Sequence, residues 1–374
     1  MTPPPSHVMM GASVNVYTPL WAAADTMSEY DRTKRASLRE VAALAGVSVA
    51  TASRALTRTG YIAPETLARV LDAAAHLEYR PNLRARDLRR RASCCIGLII
   101  PNLLNAYYTS LADAISQLLG ASAYQLLLAS TRDDAATERA IVDDMIGQDV
   151  AGLLWVPSNP DAALLDLLRS HSIPAVSVVR RVPGDTIDTV VLQDFEGSRA
   201  ATQHLLDLGH RRIGYIGSRH HSSNLARWQG YLQAFADAHA PADPELAKLS
   251  VPTSDWGETA ATELVSMSSP PTAIYAASNA LMSGVTKAVR VHRVRVPEEM
   301  SLICFDDVDW FSFSQPPITA VRTSHTALAE TAVGLLLDRI GSQDWKAQAP
   351  SYQESPYELI VRSSTTPPGL SKRA

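Results

Sequence analysis

The stretch of sequence that decides the fold is LREVAALAGVSVATASRAL, residues 38–56. Its first part places four apolar side chains on one face of a helix, at Leu38, Val41, Ala42 and Ala45. Gly46 can take the positive φ that ends this helix, and Ser48 is a good N-cap for a second helix. The stretch therefore predicts a helix-turn-helix, the pattern in which the second helix enters the major groove of DNA.

A third helix and a basic segment follow this pair in PETLARVLDAAAHLEYRPNLRARDLRRR, residues 64–91. Pro64 suits the first position of a helix, which we expect to end near Leu77. Residues 80–91 are arginine-rich, and they are too short and too charged to form a stable helix alone. One helical pair would be weak evidence, but the ordered set of turn, third helix, YRPN and basic segment indicates a DNA-binding headpiece.

These residues resemble the headpiece of the LacI/GalR (lac and galactose repressor) family. The family pattern L-x-x-V-A-x-x-A-G-V-S-x-x-T-V-S-R is met by Leu38, Val41, Ala42, Ala45, Gly46, Val47, Ser48, Thr51, Ser53 and Arg54. Ala52 stands where valine is usual, and Ala63 replaces the Ser or Thr before the third helix, so we expect a weaker cap there. The family's hinge is matched by Tyr79, Pro81, Asn82, Ala85, Arg86 and Leu88.

The resemblance also implies which residues contact DNA. They are Ser48, Val49, Ala50, Thr51, Ser53, Arg54 and Tyr61 in the headpiece, and Asn82, Ala85, Leu88 and Arg89 in the hinge. Val49 and Ala50 can touch a thymine methyl group but cannot form bidentate hydrogen bonds, which leaves Arg54 as the expected guanine reader. In the family the hinge folds on the minor groove, where a leucine matched by Leu88 wedges the central step. We therefore expect a homodimer on a palindromic operator with a central pyrimidine–purine step such as CG.

Charge is distributed unevenly along the chain. Residues 31–93 hold 13 Arg or Lys against 6 Asp or Glu, an excess of +7, whereas all 374 residues together carry −4, so the remainder carries −11. A basic head on an acidic body fits attraction to phosphate by one part of the chain better than an evenly charged, solvated surface. The sequence contains no run of about 18 apolar residues, so we do not expect a membrane span.

The three cysteines suggest neither a disulfide framework nor a zinc site, which fits a reducing, cytoplasmic location. Residues 1–35 show no periodicity and lack the basic and apolar regions of a signal peptide. We interpret them as a disordered extension or as a result of start-site choice, with Met27 as an alternative start.

After Cys95, short apolar strands alternate with helices. We predict buried parallel strands at 96–100, 124–129, 151–156, 175–179, 212–217, 272–276 and 301–305. Helical patterns lie near 107–120, 134–147 and 162–171, and a long helix runs from Asp194 to Leu208. Two such series predict two doubly wound α/β lobes with a cleft between them, behind an all-α headpiece.

The family resemblance covers residues 37–366 and extends to GHRRIGYIG (209–217), FDD (305–307), PPIT (316–319) and ELIVRSS (358–364). It implies a periplasmic-binding-protein-like core that senses small molecules. The implied first lobe is residues 94–192 plus 325–352, and the second is 193–323 plus 354–366. We thus expect an extension (1–35), a helix-turn-helix domain (36–80), a hinge (81–93), a two-lobed effector-binding and dimerisation domain (94–366) and a tail (367–374).

No catalytic set of residues stands out from the background. The sequence has no Gly-rich phosphate loop and no G-x-S-x-G elbow. His220 and His221 with His210 could suggest a metal, but adjacent histidines in a loop are more often solvated. Asp306, Asp307 and Asp309 could resemble a carboxylate site for Mg²⁺ or for acid–base chemistry. They follow a strand at the end where open sheets bind ligands, so ligand binding is the better interpretation. We expect neither an enzyme nor a cofactor.

Several residues match the family's effector contacts. Arg227 stands where an arginine donates a bidentate pair to ligand oxygens, and Asp306 where a carboxylate accepts from ligand hydroxyl or amine groups. Trp256 matches an aromatic that packs on the ligand. Tyr107 and Tyr108 match a first-lobe aromatic pair, although Ala106 replaces the usual proline before them.

Two further candidates, Ser278 and Arg180, are less well matched. Ser278 and Asn279 replace the more usual Asn-Asp pair, which puts that polar contact in doubt. Arg180 could face the cleft, where it would favour a sugar acid, or could pair with a neighbouring carboxylate. Every one of these residues alone also fits an ordinary role in a salt bridge, a cap or the core, and the binding interpretation depends on their joint spacing.

These features predict a cytoplasmic, sequence-specific transcriptional regulator, most simply a repressor, controlled by a sugar or sugar derivative between the lobes. A periplasmic sugar-binding protein would share the core but lack the headpiece, and an α/β enzyme would need a nucleophile and a base. A nucleobase could replace the sugar as effector. Tetramers of the family need a C-terminal leucine heptad, and TTPPGLSKRA at 365–374 has none, so we expect a dimer.

Overall fold

The computed structural model describes residues 36–57, 60–79, 94–120, 122, 124–158, 162–182, 184 and 186–369. They belong to two compact units, one within residues 36–79 and the other within 94–369. The N-terminal extension and the expected hinge contacts Asn82, Ala85, Leu88 and Arg89 lie outside the described residues.

The headpiece contains the three predicted helices, α1 (Leu38–Leu44), α2 (Val49–Thr57) and α3 (Pro64–His76). A capping box begins α1, in which Ser37 N donates to Glu40 Oε2 at 2.6 Å and Glu40 N to Ser37 Oγ at 3.3 Å. Gly46 has φ +64°, and Thr51 N donates to Ser48 Oγ at 3.1 Å, as the sequence predicts. Ala63 gives α3 no side-chain cap, which confirms the weaker start expected there.

A small core of alanine and valine side chains joins these helices. Its buried members are Val41, Ala42, Ala45, Ala52, Ala55, Val70, Ala73 and Ala74. Ala52 is fully buried at 0% exposure, so the residue that replaces the usual valine still packs inward and leaves the opposite face of α2 open.

The core unit has two six-stranded sheets. The first has the order β11-β5-β4-β3-β1-β2 and consists of β1 (Cys95–Ile100), β2 (Gln125–Ser130), β3 (Gly152–Trp155), β4 (Ala175–Val178), β5 (Asp188–Leu192) and β11 (Tyr352–Ser355). The second has the order β12-β10-β9-β8-β6-β7 and consists of β6 (Ile213–Gly217), β7 (Ala247–Leu249), β8 (Ala273–Ala276), β9 (Ser301–Phe305), β10 (Thr319–Thr323) and β12 (Tyr357–Ile360). All described pairings are parallel except that of β10 with β12.

Helices cover both sheets. They are α4 (Ala106–Gly120), α5 (Ala135–Gly147), α6 (Ala162–Ser170), α7 (Asp194–Asp207), α8 (Ser222–Asp237), α9 (Ser254–Val265), α10 (Asn279–Val291), α11 (Trp310–Phe313) and α12 (His325–Gly341), with 3-10 turns at Pro244–Leu246 and Trp345–Ala347. The chain passes between the lobes after β5, after β10 and between β11 and β12. The predicted doubly wound lobes are therefore observed, and each predicted strand lies within one residue of an observed one.

The strand direction positions the functional residues. Six of the seven predicted strands, β1, β3, β4, β6, β8 and β9, are almost wholly apolar and buried. The prediction of a buried strand at 124–129 is wrong, because β2 lies at the edge of its sheet and is only half-buried to exposed. Polar residues follow where these strands end, with Asn102 after β1, Arg180 after β4 and Asp306 after β9. Carboxyl ends of parallel strands share one edge of a sheet, so these side chains meet where the lobes face each other.

Candidate functional site

The solvent face of α2 carries the residues expected to read DNA. Ser48, Val49, Ala50 and Arg54 are exposed, and Thr51 and Ser53 are half-buried. Ala52 and Ala55 on the opposite face fill the headpiece core. Tyr61, beyond the helix, is 91% exposed. The sequence thus places small apolar groups and one guanidinium on an open helical face, as insertion into a groove requires.

A cavity of about 240 Å³ lies between the two lobes. Six of the seven expected effector residues line it, namely Tyr107, Tyr108, Arg180, Arg227, Ser278 and Asp306. Trp256 does not line it. The Trp256 side chain, in the first turn of α9, packs against the hydrophobic core, and the cavity wall is formed instead by the preceding residues 251–253. The aromatic wall expected from Trp256 is therefore provided from the first lobe alone.

Arg227 is the centre of the second-lobe side of this cavity. Its Nε donates to Asp194 Oδ1 at 2.7 Å and its Nη1 to the carbonyl of Ala277 at 2.6 Å. Its Nη2 lies 3.6 Å from Asp306 Oδ1, which has no hydrogen-bond partner among the described residues. The guanidinium also stacks 3.7 Å from the ring centroid of Phe305. Arg227 Nη2 is therefore a donor next to an acceptor, Asp306 Oδ1, and each can form a hydrogen bond with a ligand.

Burial and the two carboxylates shape the ionisation of this cluster. Burial would lower the pKa of Arg227, but Asp194 and Asp306 outweigh it and raise that pKa, so the guanidinium stays charged. Burial raises the pKa of Asp194 to about 6, with Arg227 acting in the opposite direction and Asp306 adding to the rise.

This raised pKa makes Asp194→Asn a test of the cluster by pH. Because native Asp194 binds its proton more tightly than the unfolded chain does, its contribution to stability should fall as pH rises from about 4 to about 6. Asparagine cannot titrate. The stability of wild type relative to Asp194→Asn should therefore fall across this window, by on the order of 2 kcal/mol, and level off above it. Urea unfolding of both proteins from pH 4 to 8 measures this, and a difference that rises with pH would contradict the assigned direction.

Arg180 forms the first-lobe counterpart. It makes a bidentate pair with Asp133, Nη1 to Oδ1 at 2.5 Å and Nη2 to Oδ2 at 3.1 Å, and Nη1 also donates to the carbonyl of Pro157. Arg180 thus both faces the cleft and pairs with a neighbouring carboxylate, so the two alternatives left open by the sequence hold together. Burial would raise the pKa of Asp133, but hydrogen bonds from His221 and Arg180 lower it well below its usual range.

Three contacts join the lobes around the cavity. His221 Nε2 of the second lobe lies 3.0 Å from Asp133 Oδ2 of the first. Arg181 N donates to Ser222 Oγ at 2.9 Å, and Asn279 Nδ2 donates to Asn105 Oδ1 at 2.9 Å. The lobes are therefore held together at the cavity by polar groups that could separate without breaking the core of either lobe.

Tyr107 and Tyr108 supply the aromatic wall. Their rings meet edge to face, with centroids 5.6 Å apart and planes at 89°. The Tyr107 hydroxyl is buried without a hydrogen-bond partner among the described residues, and burial raises its pKa well above the usual range. A neutral phenol donor therefore adds to the polar groups at the cavity.

Sequence reasoning missed several residues of the cavity wall. They are Asn102, Asn105, Arg132, Asp133, Val179, Ser223, Asn224, Val251, Pro252 and Thr253. Asn102 and Asn105 follow β1, and Arg132 and Asp133 follow β2, so the rule that places ligands at the carboxyl ends of strands could have identified them.

Other polar residues that stood out in the sequence have structural partners. Asp307 pairs with Arg322 and Arg362. His210 contacts Thr272 Oγ1 at 2.8 Å and the carbonyl of Thr366 at 2.9 Å. Across the described part of the chain, no three His, Cys, Asp or Glu side chains are placed to hold a metal. Nor is any described helix long and apolar enough to cross a membrane.

Comparison with known proteins assigns both units. Residues 37–82 match the family described as bacterial regulatory proteins, lacI family, and residues 202–365 match the periplasmic binding protein-like domain. The transcriptional repressor PurR of Actinobacillus pleuropneumoniae serotype 3 (strain JL03) is 30% identical over 331 residues, 88% of this chain and 98% of the relative. This chain belongs to the LacI family. The resemblance that the headpiece sequence indicates is thus confirmed.

Solved structures agree with the assignment. A complex of the transcriptional regulator CelR with cellobiose matches with a TM-score of 0.67 and 28% identity, over 88% of this chain and 100% of that one. The lac repressor dimer bound to operator and the anti-inducer ONPF matches with a TM-score of 0.78 over 89% of this chain and 100% of that one, and at 23% identity it shows the fold. As a LacI-family member the protein is a DNA-binding transcriptional regulator with a ligand-binding domain, and its relatives are not enzymes.

Proposed function

We propose that this LacI-family regulator is a cytoplasmic repressor that binds a palindromic operator as a homodimer and responds to a sugar or sugar derivative in the inter-lobe cavity. The observation that carries the proposal is the pairing of Arg227 Nη2 with Asp306 Oδ1 at 3.6 Å, a donor and an acceptor left open towards the cavity. Neighbouring hydroxyls of a sugar can accept a hydrogen bond from Arg227 and donate one to Asp306.

The aromatic wall favours a sugar over a nucleobase. A planar base stacks best between parallel rings, whereas Tyr107 and Tyr108 stand at 89° to each other. The C–H face of a sugar needs only one ring face, and its hydroxyls suit the amides of Asn102, Asn105 and Asn224. CelR, whose complex contains cellobiose, supports the same chemical class.

Lobe closure provides the switch. A ligand that contacts both Arg227 and Tyr108 bridges the lobes and favours the closed state maintained by His221, Asp133 and the asparagine pair. Because ligand and DNA act on one equilibrium, each must change the affinity for the other by the same factor. The dimer brings two headpieces to equivalent half-sites, and Leu88 at the hinge is the proposed wedge at the central step.

Arg54→Ala should weaken binding to a selected operator by roughly 1–3 kcal/mol and relax the preference at one base per half-site. Arg54 is exposed on α2, where its guanidinium can reach a guanine edge. Arg39→Ala, an equal charge change on the exposed face of α1, is the matched control and should not alter base preference. Selection from a random DNA pool, followed by affinity measurement, decides whether Arg54 reads a base or contacts a phosphate. A uniform loss on all sequences would make Arg54 a phosphate contact.

A thermal-shift screen of sugars, sugar acids and nucleobases tests the effector assignment, with Asp306→Asn as the matched variant. A sugar at 100 times its Kd should stabilise wild type by about 2.7 kcal/mol, and Asp306→Asn should lose most of this shift. Stabilisation by a nucleobase alone, or an unchanged shift in the variant, would contradict the proposal.

A further inference from the structure

We propose that the effector is a polyhydroxylated anion, such as a sugar acid, whose hydroxyls bind at Arg227 and Asp306 and whose anionic group binds Arg132 on the first-lobe side of the cavity. The inference rests on the proposed function and narrows its ligand class.

Positive charge exceeds negative charge on the first-lobe side. Arg132 and Arg180 line the cavity there with a single carboxylate, that of Asp133. Asp133 is shared between Arg180 at 2.5 Å and His221 at 3.0 Å, so its charge is already taken up by two cationic or polar partners. The remaining guanidinium, that of Arg132, has no hydrogen bond or ion pair among the described residues.

The second-lobe side shows the opposite balance. Arg227 is placed between Asp194 at 2.7 Å and Asp306 at 3.6 Å, so no positive charge remains for a ligand anion. This side suits hydroxyl groups, which can donate to Asp306. The cavity therefore has a hydroxyl-binding side and an anion-binding side, and a neutral sugar would use only one of them.

The backbone fixes the position of Arg132. The turn after β2 has positive φ at Arg132 (55°) and Asp133 (61°). Asp133 N donates to Thr131 Oγ1 at 3.1 Å, and Asp134 caps α5 by accepting from Thr137 N at 2.7 Å. A turn tied at both ends directs the Arg132 side chain to the cavity wall, where the structure places it.

The size of the cavity agrees with a small ligand. At about 240 Å³ the cavity lies just below the roughly 300–1,000 Å³ of typical ligand pockets. That space suits a monosaccharide derivative. Carboxylate and phosphate groups are both anionic, although a phosphate monoester carries about −1.5 to −2 charge at pH 7, so they are separate arms of the test.

The experiment is calorimetric titration of the full-length protein at low salt with matched compounds: glucose, gluconate, glucuronate, glucose 6-phosphate, galactose and galacturonate. At least one anion should bind about tenfold or more tightly than its neutral counterpart. Arg132→Gln should weaken that anion about tenfold and leave the neutral sugar unchanged. Arg290→Gln, the same charge change on the exposed face of α10 outside the cavity lining, is the control and should bind like wild type.

The outcomes separate this inference from the proposed function. Neutral sugars that bind as tightly as their acids, or an equal loss for both classes in Arg132→Gln, would overturn the anion site while keeping the sugar effector. No binding of any of the anions at 10 mM (about a hundredfold above a typical weak Kd) would also overturn it. If Asp306→Asn bound every compound like wild type, the proposed function itself would fail. Tighter phosphate than carboxylate binding would assign the anion as phosphate.

Discussion

Replacing Arg227 by alanine should destabilise the protein by about 3–5 kcal/mol, because it leaves two buried carboxylates, those of Asp194 and Asp306, without the cation that balances them. Arg227 is only 5% exposed, and Asp194 and Asp306 are 3% and 5% exposed. The substitution also removes the donor to the Ala277 carbonyl and the cation over the Phe305 ring. Arg227 therefore stabilises the second lobe and also lines the ligand cavity.

This expectation changes how an effector experiment on Arg227 is interpreted. From the sequence alone, Arg227→Ala would remove roughly 1.5–3 kcal/mol of ligand affinity and leave DNA binding intact. With the side chain buried, the same variant should lose structure in the second lobe, so Asp306→Asn is the better ligand-site variant. The urea midpoint measures the effect, with Arg295→Ala as the control because its ion pair with Glu299 is exposed. A wild-type midpoint for Arg227→Ala would contradict the role of the buried cluster.

Gly284→Ala should also destabilise the second lobe, by about 1–3 kcal/mol or more, because α9 and α10 cross in backbone contact. A Cβ on Gly284 would lie 1.9 Å from the Ser254 carbonyl oxygen and 2.4 Å from Glu258 N. A Cβ on Gly257, on the facing helix, would also lie too close, at 2.3 Å from the Leu281 carbonyl oxygen. Neither backbone can move without shifting a whole helix.

Gly334→Ala is the matched control, since a Cβ there meets nothing within 4 Å on an exposed position of α12. Alanine favours a helix interior over glycine, so this variant should gain about 0.5–1 kcal/mol. Opposite signs for the two substitutions in thermal or urea unfolding are expected. Equal effects would show that helix propensity and not the helix contact decides both.

The sequence predicts what depends on local patterns. The headpiece turn at Gly46, the N-cap at Ser48 and the apolar strands each depend on a few neighbouring residues, and all are observed. Most residues expected to contact the ligand line the inter-lobe cavity, and the sequence could point to them because they occur at fixed distances from recognisable motifs.

What the sequence did not predict depends on residues far apart in the chain. Asp133 and Arg180 are 47 positions apart, and Asp133 and His221 are 88 apart, so no motif joins them. Arg227 can be buried with its charge because Asp194 and Asp306, which lie on separate elements, balance it. Trp256 was expected at the ligand because its motif matches, but packing of the first turn of α9 places its side chain against the core. Tertiary contacts override local similarity in these cases.

The central claim is that a ligand in the inter-lobe cavity controls DNA binding by the headpiece. Operator affinity, measured by fluorescence anisotropy with and without the best ligand from the titrations, tests it most directly in wild type and in Asp306→Asn. The ligand should change wild-type operator affinity by 5-fold or more, in the range of about 1–3 kcal/mol of coupling, and leave Asp306→Asn nearly unresponsive with unchanged ligand-free binding. An operator affinity that does not change when wild type is saturated with ligand, or an equal response in Asp306→Asn, would contradict the claim.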